Sequence, residues 1–160
     1  MANHSSAVAA YREADQWHCA PLPPGVLEDL GLLMGALRSQ PPEGGPFVAA
    51  NVDDEFFLIA RARGGHIDLL LSDLTAAVEY PLAEQVLQRL GEEPPEDDEL
   101  DEMWPLGDLD LFDDLGLAED EMSAIVDDLD AYADEMLDEI MERLGLSDEY
   151  DAALSATAAR

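Results

Sequence analysis

FVAANVDDEFFLIARARGGHIDLLL, residues 47–71, reads as three strands in a row. The first apolar run ends at Asp53-Asp54 and the second at Gly64-Gly65. Paired glycines accept positive φ without a side-chain penalty, so the second break is a hairpin signal. Along the middle run Phe56, Leu58 and Ala60 share one face, while Phe57, Ile59 and Arg61 share the other. In the third run Ile67, Leu69 and Leu71 fall together. Side chains alternate across a strand, so this spacing predicts adjacent antiparallel strands.

Working outward toward the N-terminus, residues 7–12 and 16–22 flank the turn candidate Glu13-Ala14-Asp15 and predict a further hairpin. Pro21, Pro23 and Pro24 end its second run, because proline cannot donate to a ladder. Leu27, Leu30, Met34 and Leu37 then recur at spacings of three and four, one face of a helix. Glu28 and Asp29 open that helix and Arg38 closes it, in the sense the macrodipole favours. Toward the C-terminus, Ser72-Asp73 supplies a cap for helical residues that break at Tyr80-Pro81 and resume up to Gly91.

The predicted class is α+β: a small antiparallel sheet in the order β-β-α-β-β-β-α, with a helix against one face. That order resembles longin and profilin-like modules in architecture. Domain organisation follows the charge. Residues 1–91 form the α+β domain, 92–108 an acidic linker, 109–154 an acidic helical segment and 155–160 a frayed tail. Met122, Ile125, Val126 and Leu129 make one apolar stripe in the helical segment. Tyr132, Met136, Leu137, Ile140, Met141 and Leu144 make another, closing at Gly145. A break near Asp130 makes these an αα-hairpin.

The 160-residue chain carries seven Lys+Arg, all of them arginine, against 38 Asp+Glu, for a net charge of −31. Residues 92–160 alone hold 26 of the acids and two of the arginines. Such a surface repels phosphate backbones and anionic membranes, so direct nucleic-acid binding and membrane attachment are excluded as expectations. Basic protein surfaces become the natural partners. Cys19 is the single cysteine, and no basic-then-apolar leader opens the chain, which points to a reduced, cytoplasmic setting.

No catalytic, cofactor or metal signature stands out. Asp108, Asp110 and Glu119 have partial EF-hand spacing, but Phe112 and Asp113 fill positions that need an oxygen ligand and a glycine. His18 and Cys19 are neighbours in a strand, so their side chains point to opposite faces and cannot form a dyad. His4 and His66 add no ligand spacing.

The remaining puzzle is the apolar content of the acidic stretch. Trp104, Leu106, Leu109, Leu111 and Phe112 interrupt GDLDLFDDLG and its approach, where a spacer would be polar. Two readings stand. The segment folds back and packs the helices on the sheet, or these five residues dock on a partner while the acids steer approach.

The chain resembles the actinobacterial family called tRNA adenosine deaminase-associated protein. The resemblance rests on VLEDLGLLMGALRS, on VDDEFF from Val52, on LLLSDLTAAVEYPLAEQVL, on Gly107-Asp108 with DLGL at 114–117, and on MLDEIMERLGL. What it implies is a gene lying beside that of a tRNA-specific adenosine deaminase, and it brings no catalytic residues. The deaminase role itself is absent from these residues, because that chemistry needs an H-x-E and a C-x-x-C for zinc. The leading expectation is a non-enzymatic acidic adaptor, without cofactor, for a basic protein partner such as that deaminase. The alternatives are a small-molecule- or metal-responsive sheet module with a solubilising acidic tail, and an acidic mimic of nucleic acid.

Overall fold

The computed structural model describes residues 5–41, 43–63, 65–93, 105–128 and 131–158. Six strands form one antiparallel sheet: β1 Ser6–Glu13, β2 Gln16–Pro21, β3 Phe47–Val52, β4 Phe56–Arg63, β5 His66–Leu71 and β6 Leu106–Gly107. Their spatial order is β2-β1-β3-β4-β5-β6. Five α-helices cover the sheet: α1 Leu30–Arg38, α2 Pro81–Leu90, α3 Glu119–Val126, α4 Ala133–Leu144 and α5 Ser147–Ala158.

The turns follow from local chemistry. Ala14 and Asp15, and again Asp53 and Asp54, take positive φ at both central positions. This primed geometry matches the twist of the flanking strands. At the second turn the Asn51 side chain donates to Asp54 Oδ1 at 2.8 Å and accepts from the Asp54 N–H at 3.1 Å. Those bonds let a non-glycine residue hold the left-handed conformation. Asp29 caps α1 through the N–H groups of Gly31 and Leu32, and Asp73 caps the short 3-10 turn Leu74–Val78 through Thr75. Pro81 starts α2, and Gly91 ends it with φ of 73°.

The register places Ala49 opposite Ile59 and Ala60 opposite Leu69. Period-two alternation then divides the sheet. Ala9, Val48, Phe56, Leu58, Ala60, Leu69 and Leu71 pack with Leu33, Leu37, Leu82 and Val86 from α1 and α2. Val8, Phe47, Ala49, Phe57, Ile59 and Leu70 pack on the opposite side with Phe112, Met122, Met136, Leu137, Ile140 and Tyr150. A helix on one face was the expectation. Both faces are covered, and this explains why β3 and the first six residues of β4 are buried without a break.

Three further departures have physical causes. Leu106–Gly107 forms β6, pairing with Leu71 and Leu70 at the edge of β5, although it falls within the expected linker. Residues 94–104 of the expected linker lie outside the described residues, as do Leu129 and the break at Asp130. The helical segment contains three helices rather than two. α5 opens on Ser147-Asp148-Glu149 and runs to Ala158, through residues expected to fray. It is held by Tyr150 and Ala153, both buried against β1 and β2.

A buried ion pair fastens the acidic segment to the sheet, flanked by the more exposed Arg63, whose Nη1 lies 3.4 Å from Asp113 and 3.5 Å from Asp114. The Arg61 side chain is 1 % exposed and points from β4 toward residues 111–114. Its Nε donates to the Gly45 carbonyl at 2.9 Å and Nη2 to the Gly44 carbonyl at 2.8 Å. Nη1 donates to the Leu111 carbonyl at 2.6 Å. Nη1 and Nη2 also donate to the two carboxylate oxygens of Asp114. All five guanidinium donors therefore have acceptors, the condition under which a buried arginine is tolerated. The guanidinium carbon lies 5.6 Å from the centroid of the Phe112 ring. Phe112 in turn meets Phe47 edge-on at 4.7 Å.

Hydrogen bonding to Arg61 holds the Asp114 carboxyl below its ordinary range, outweighing the opposing effect of partial burial. A lowered carboxyl contributes stability above the unfolded pKa of about 4 and loses it as pH falls through the folded value. Asp114→Asn therefore lowers the melting temperature at neutral pH, and the gap to the parent closes below about pH 4. Thermal melts across pH check this. At the sheet edge, a Cβ on Gly107 would stand 2.0 Å from the Leu69 carbonyl oxygen, at φ of +114°. Gly107→Ala is expected to cost about 1–3 kcal/mol in denaturant unfolding, in the range of other steric insertions.

Candidate acidic interaction face

α3, α4 and α5 turn their apolar stripes to the sheet and their carboxylates to solvent. The exposed acids are Glu119 and Asp120 on α3, then Asp134, Glu135, Asp138, Glu139 and Glu142 on α4. Asp148, Glu149 and Asp151 continue the face on α5. Among the described residues of these helices Arg143 is the one cation. It is committed internally, donating from Nη1 to Glu121 Oε2 at 2.7 Å, with Nη2 3.7 Å from Glu139. It thereby ties α4 to α3 and leaves the other carboxylates unneutralised.

Sequence spacing makes this face costly. Asp134 and Asp138, and Asp138 and Glu142, are like charges one helical turn apart. Burial, then the carboxylates of Asp151, Asp134 and Glu135, push the Asp138 carboxyl up. The added α5 thus contributes Asp151 to a repulsive cluster on α4.

An aromatic ring stands at one end of the face. Tyr132 precedes α4 and is 66 % exposed. Its backbone N–H donates to Glu135 Oε1 at 3.0 Å, the reciprocal half of a capping box. The next N–H, of Ala133, donates to the Asp54 carbonyl at 3.1 Å and anchors the helix start to the β3–β4 turn. The apolar spacing to Met136 predicts a buried Tyr132. At the capping position the chain has not yet entered the helix, so the ring leaves the stripe. Asp127, Asp128, Asp134 and Glu135 are exposed neighbours in sequence.

Four of the five residues nominated from sequence lie elsewhere. Leu111 and Phe112 are fully buried in the core on the α3–α5 side of the sheet, beneath Arg61. They have no surface to offer a partner in this fold, because Phe112 fills the space between Phe47 and the guanidinium. Leu109 is half-buried against the same cluster, and Leu106, in β6, against the opposite one. Trp104 lies outside the described residues. Cys19 packs against the core on the α5 side, where burial and then Glu149 push its thiol up to about 12. A thiol so placed stays protonated at neutral pH and is a poor nucleophile. His18 instead contacts the Tyr11 ring at 5.4 Å. Among the described residues no helix is long and apolar enough to cross a membrane.

Comparison with known proteins gives one consistent answer. A family model described as "Rv3753c-like tRNA adenosine deaminase-associated protein" matches residues 5–147. The chain is 40 % identical over 148 residues to Protein Rv3753c of Mycobacterium tuberculosis, covering 92 % of this chain and 86 % of that one. No solved structure matches.

The raised Asp138 carboxyl gives a signed prediction. A raised carboxyl contributes stability that is full below the ordinary carboxylate pKa and lost as pH rises through the folded value. Asp138→Asn imitates the protonated state, so it raises the melting temperature at neutral pH. Each relieved like-charge pair contributes about 0.2–0.5 kcal/mol. Calorimetry at mildly acidic pH should show the advantage disappearing.

Proposed function

We propose, from the premise that this chain belongs to the Rv3753c-like tRNA adenosine deaminase-associated protein family, that it is a non-catalytic accessory protein whose acidic face docks on that deaminase. An enzyme that acts on tRNA must present clustered cations to the phosphates. The face of α3–α5 is the electrostatic complement of such a surface. The observation that carries the reading is a row of exposed carboxylates whose single nearby arginine is already paired.

The structure of the face supports binding over mere solubility. Solubility would be served by acids spaced around the molecule. Here eleven of the 38 acids, with Arg143 alone among them, line three helices that the Arg61–Asp114 contact and a shared core hold rigid. Rigid presentation lowers the entropic cost of association. Tyr132 supplies an aromatic contact that desolvates readily at the edge of the charged area. Docking on the cationic surface would place the protein in competition with tRNA, and so make it a regulator or a stabiliser of the enzyme before substrate arrives. The proposed setting is the cytoplasm, where such an enzyme meets its substrate.

Isothermal titration with the tRNA adenosine deaminase of the same genome tests this. Binding is expected at low salt and should weaken steeply as salt rises, because exposed charges are screened over about 10 Å at 0.1 M. Asp134→Lys with Asp138→Lys should weaken it at least about tenfold, and Tyr132→Ala by a smaller factor. Absence of binding at low salt, or binding indifferent to the charge reversals, would remove the proposal.

A further inference from the structure

The arginines outside the acidic face are unevenly used. Arg12 pairs with Asp15, Arg61 with Asp114 and Arg63 with Asp68. Arg38 and Arg89 have no carboxylate within ion-pair distance among the described residues. In a chain with 38 acids, an arginine left without one is the exception. Both exceptions line the same hollow, at the end of the sheet where α1 and α2 finish.

The hollow measures about 530 Å³. Leu37, Ala62 and Ile67 give it apolar walls, Arg38 and Arg89 give it a cationic rim, and His66 borders it. Arg63 also borders it, but its guanidinium is already held by Asp68, Asp113 and Asp114. His66 Nε2 lies 3.2 Å from Asp68 Oδ1, so that carboxylate is shared between His66 and Arg63. Gln40, whose side-chain amide donates to the Ala36 carbonyl at 3.0 Å, also lines the hollow. Each of the two free arginines occupies the last turn of its helix, where it suits the macrodipole. That local benefit does not require the two helices to end at one hollow.

We infer that this hollow binds a small organic phosphate, with the phosphoryl group between Arg38 and Arg89 and an apolar body against Leu37, Ala62 and Ile67. Two guanidinium forks match a phosphate dianion in charge and in paired hydrogen-bond geometry, which a single carboxylate does not demand. The volume lies within the usual range for small-molecule sites, and apolar walls with few polar groups are their usual lining. The distant acidic face disfavours any anion over long range, so recognition must be local. At about 150 mM salt that field is screened beyond about 8 Å, while the contact arginines act at full strength. The inference is independent of the proposed partner, since it uses the opposite side of the sheet from α3–α5.

The test is a titration of the full chain, isotopically labelled, with phenyl phosphate at about 150 mM salt, followed by amide NMR. Shifts confined to the amides of Arg38, Ala62, Ile67 and Arg89 and their neighbours are expected. Inorganic phosphate, lacking the apolar body, should bind at least about tenfold more weakly. Arg38→Gln with Arg89→Gln should weaken phenyl phosphate by a similar factor, and because both side chains are exposed the melting temperature should stay close to the parent's. The single variants provide intermediate affinities if the double variant is unstable. No shift at these amides at about 1 mM phenyl phosphate, affinity equal to that for inorganic phosphate, or affinity unchanged in the variants would overturn the inference.

Discussion

A buried guanidinium organises this molecule. Arg61 sits on β4 between Ile59 and Arg63, buried on the face that also carries Phe57. An unpaired charge there would cost several kcal/mol, roughly 3–5 by comparison with broken buried pairs. The contact therefore does two things at once. Its bonds to Gly44 and Gly45 fix the loop before β3, and its bonds to Leu111 and Asp114 fix the approach to α3. The guanidinium is the point through which residues 44–45 and 111–114, far apart in the chain, are read by the same side chain. A lysine, with three donors on a single nitrogen, could not meet the five acceptors in this planar arrangement.

From that constraint the charge distribution acquires a structural meaning. The acidic half of the chain is not an appendage to a finished domain. It supplies Phe112, Leu117, Met122, Leu137 and Ile140 to the core and closes a sheet face that would otherwise lie open. Its carboxylates are outward because its apolar residues are inward, the ordinary amphipathic division. What is unusual is the scarcity of cations among them, and the consequent push on Asp138.

Much of this was legible in residues 47–71. Period two and two turn signals were enough to predict β3, β4 and β5 and to assign Phe56, Leu58 and Ala60 to one side and Phe57, Ile59 and Arg61 to the other. α2 and the turn before it were legible through Asp73, Pro81 and Gly91, because such signals act within a few residues of the positions they mark. α1 was legible through its apolar spacing, but Asp29, read as part of its first turn, is the cap before Leu30. Elements defined by long-range contact were not. β6 has two residues and exists only through its pairing with β5. α5 has a thin stripe, since Ala153 replaces the larger residues that make periodicity visible. Tyr132 misled because one residue outside a helix start still satisfies the spacing of those inside it. Of the candidate interaction residues, the acids were legible and the aromatic contact was not. The convergence of Arg38 and Arg89 could not be read at all, because only tertiary packing brings the ends of α1 and α2 together.

The two-sided burial of the sheet also sets an order of assembly. β3, β4 and β5 contact near neighbours in sequence, whereas their second cover comes from residues 111–153, half a chain away. Local pairings form sooner than distant ones, and synthesis runs from the N-terminus. A chain cut before residue 111 would therefore leave Phe57, Ile59 and Leu70 as a bare oily surface, because nothing nearer in sequence covers that side of the sheet.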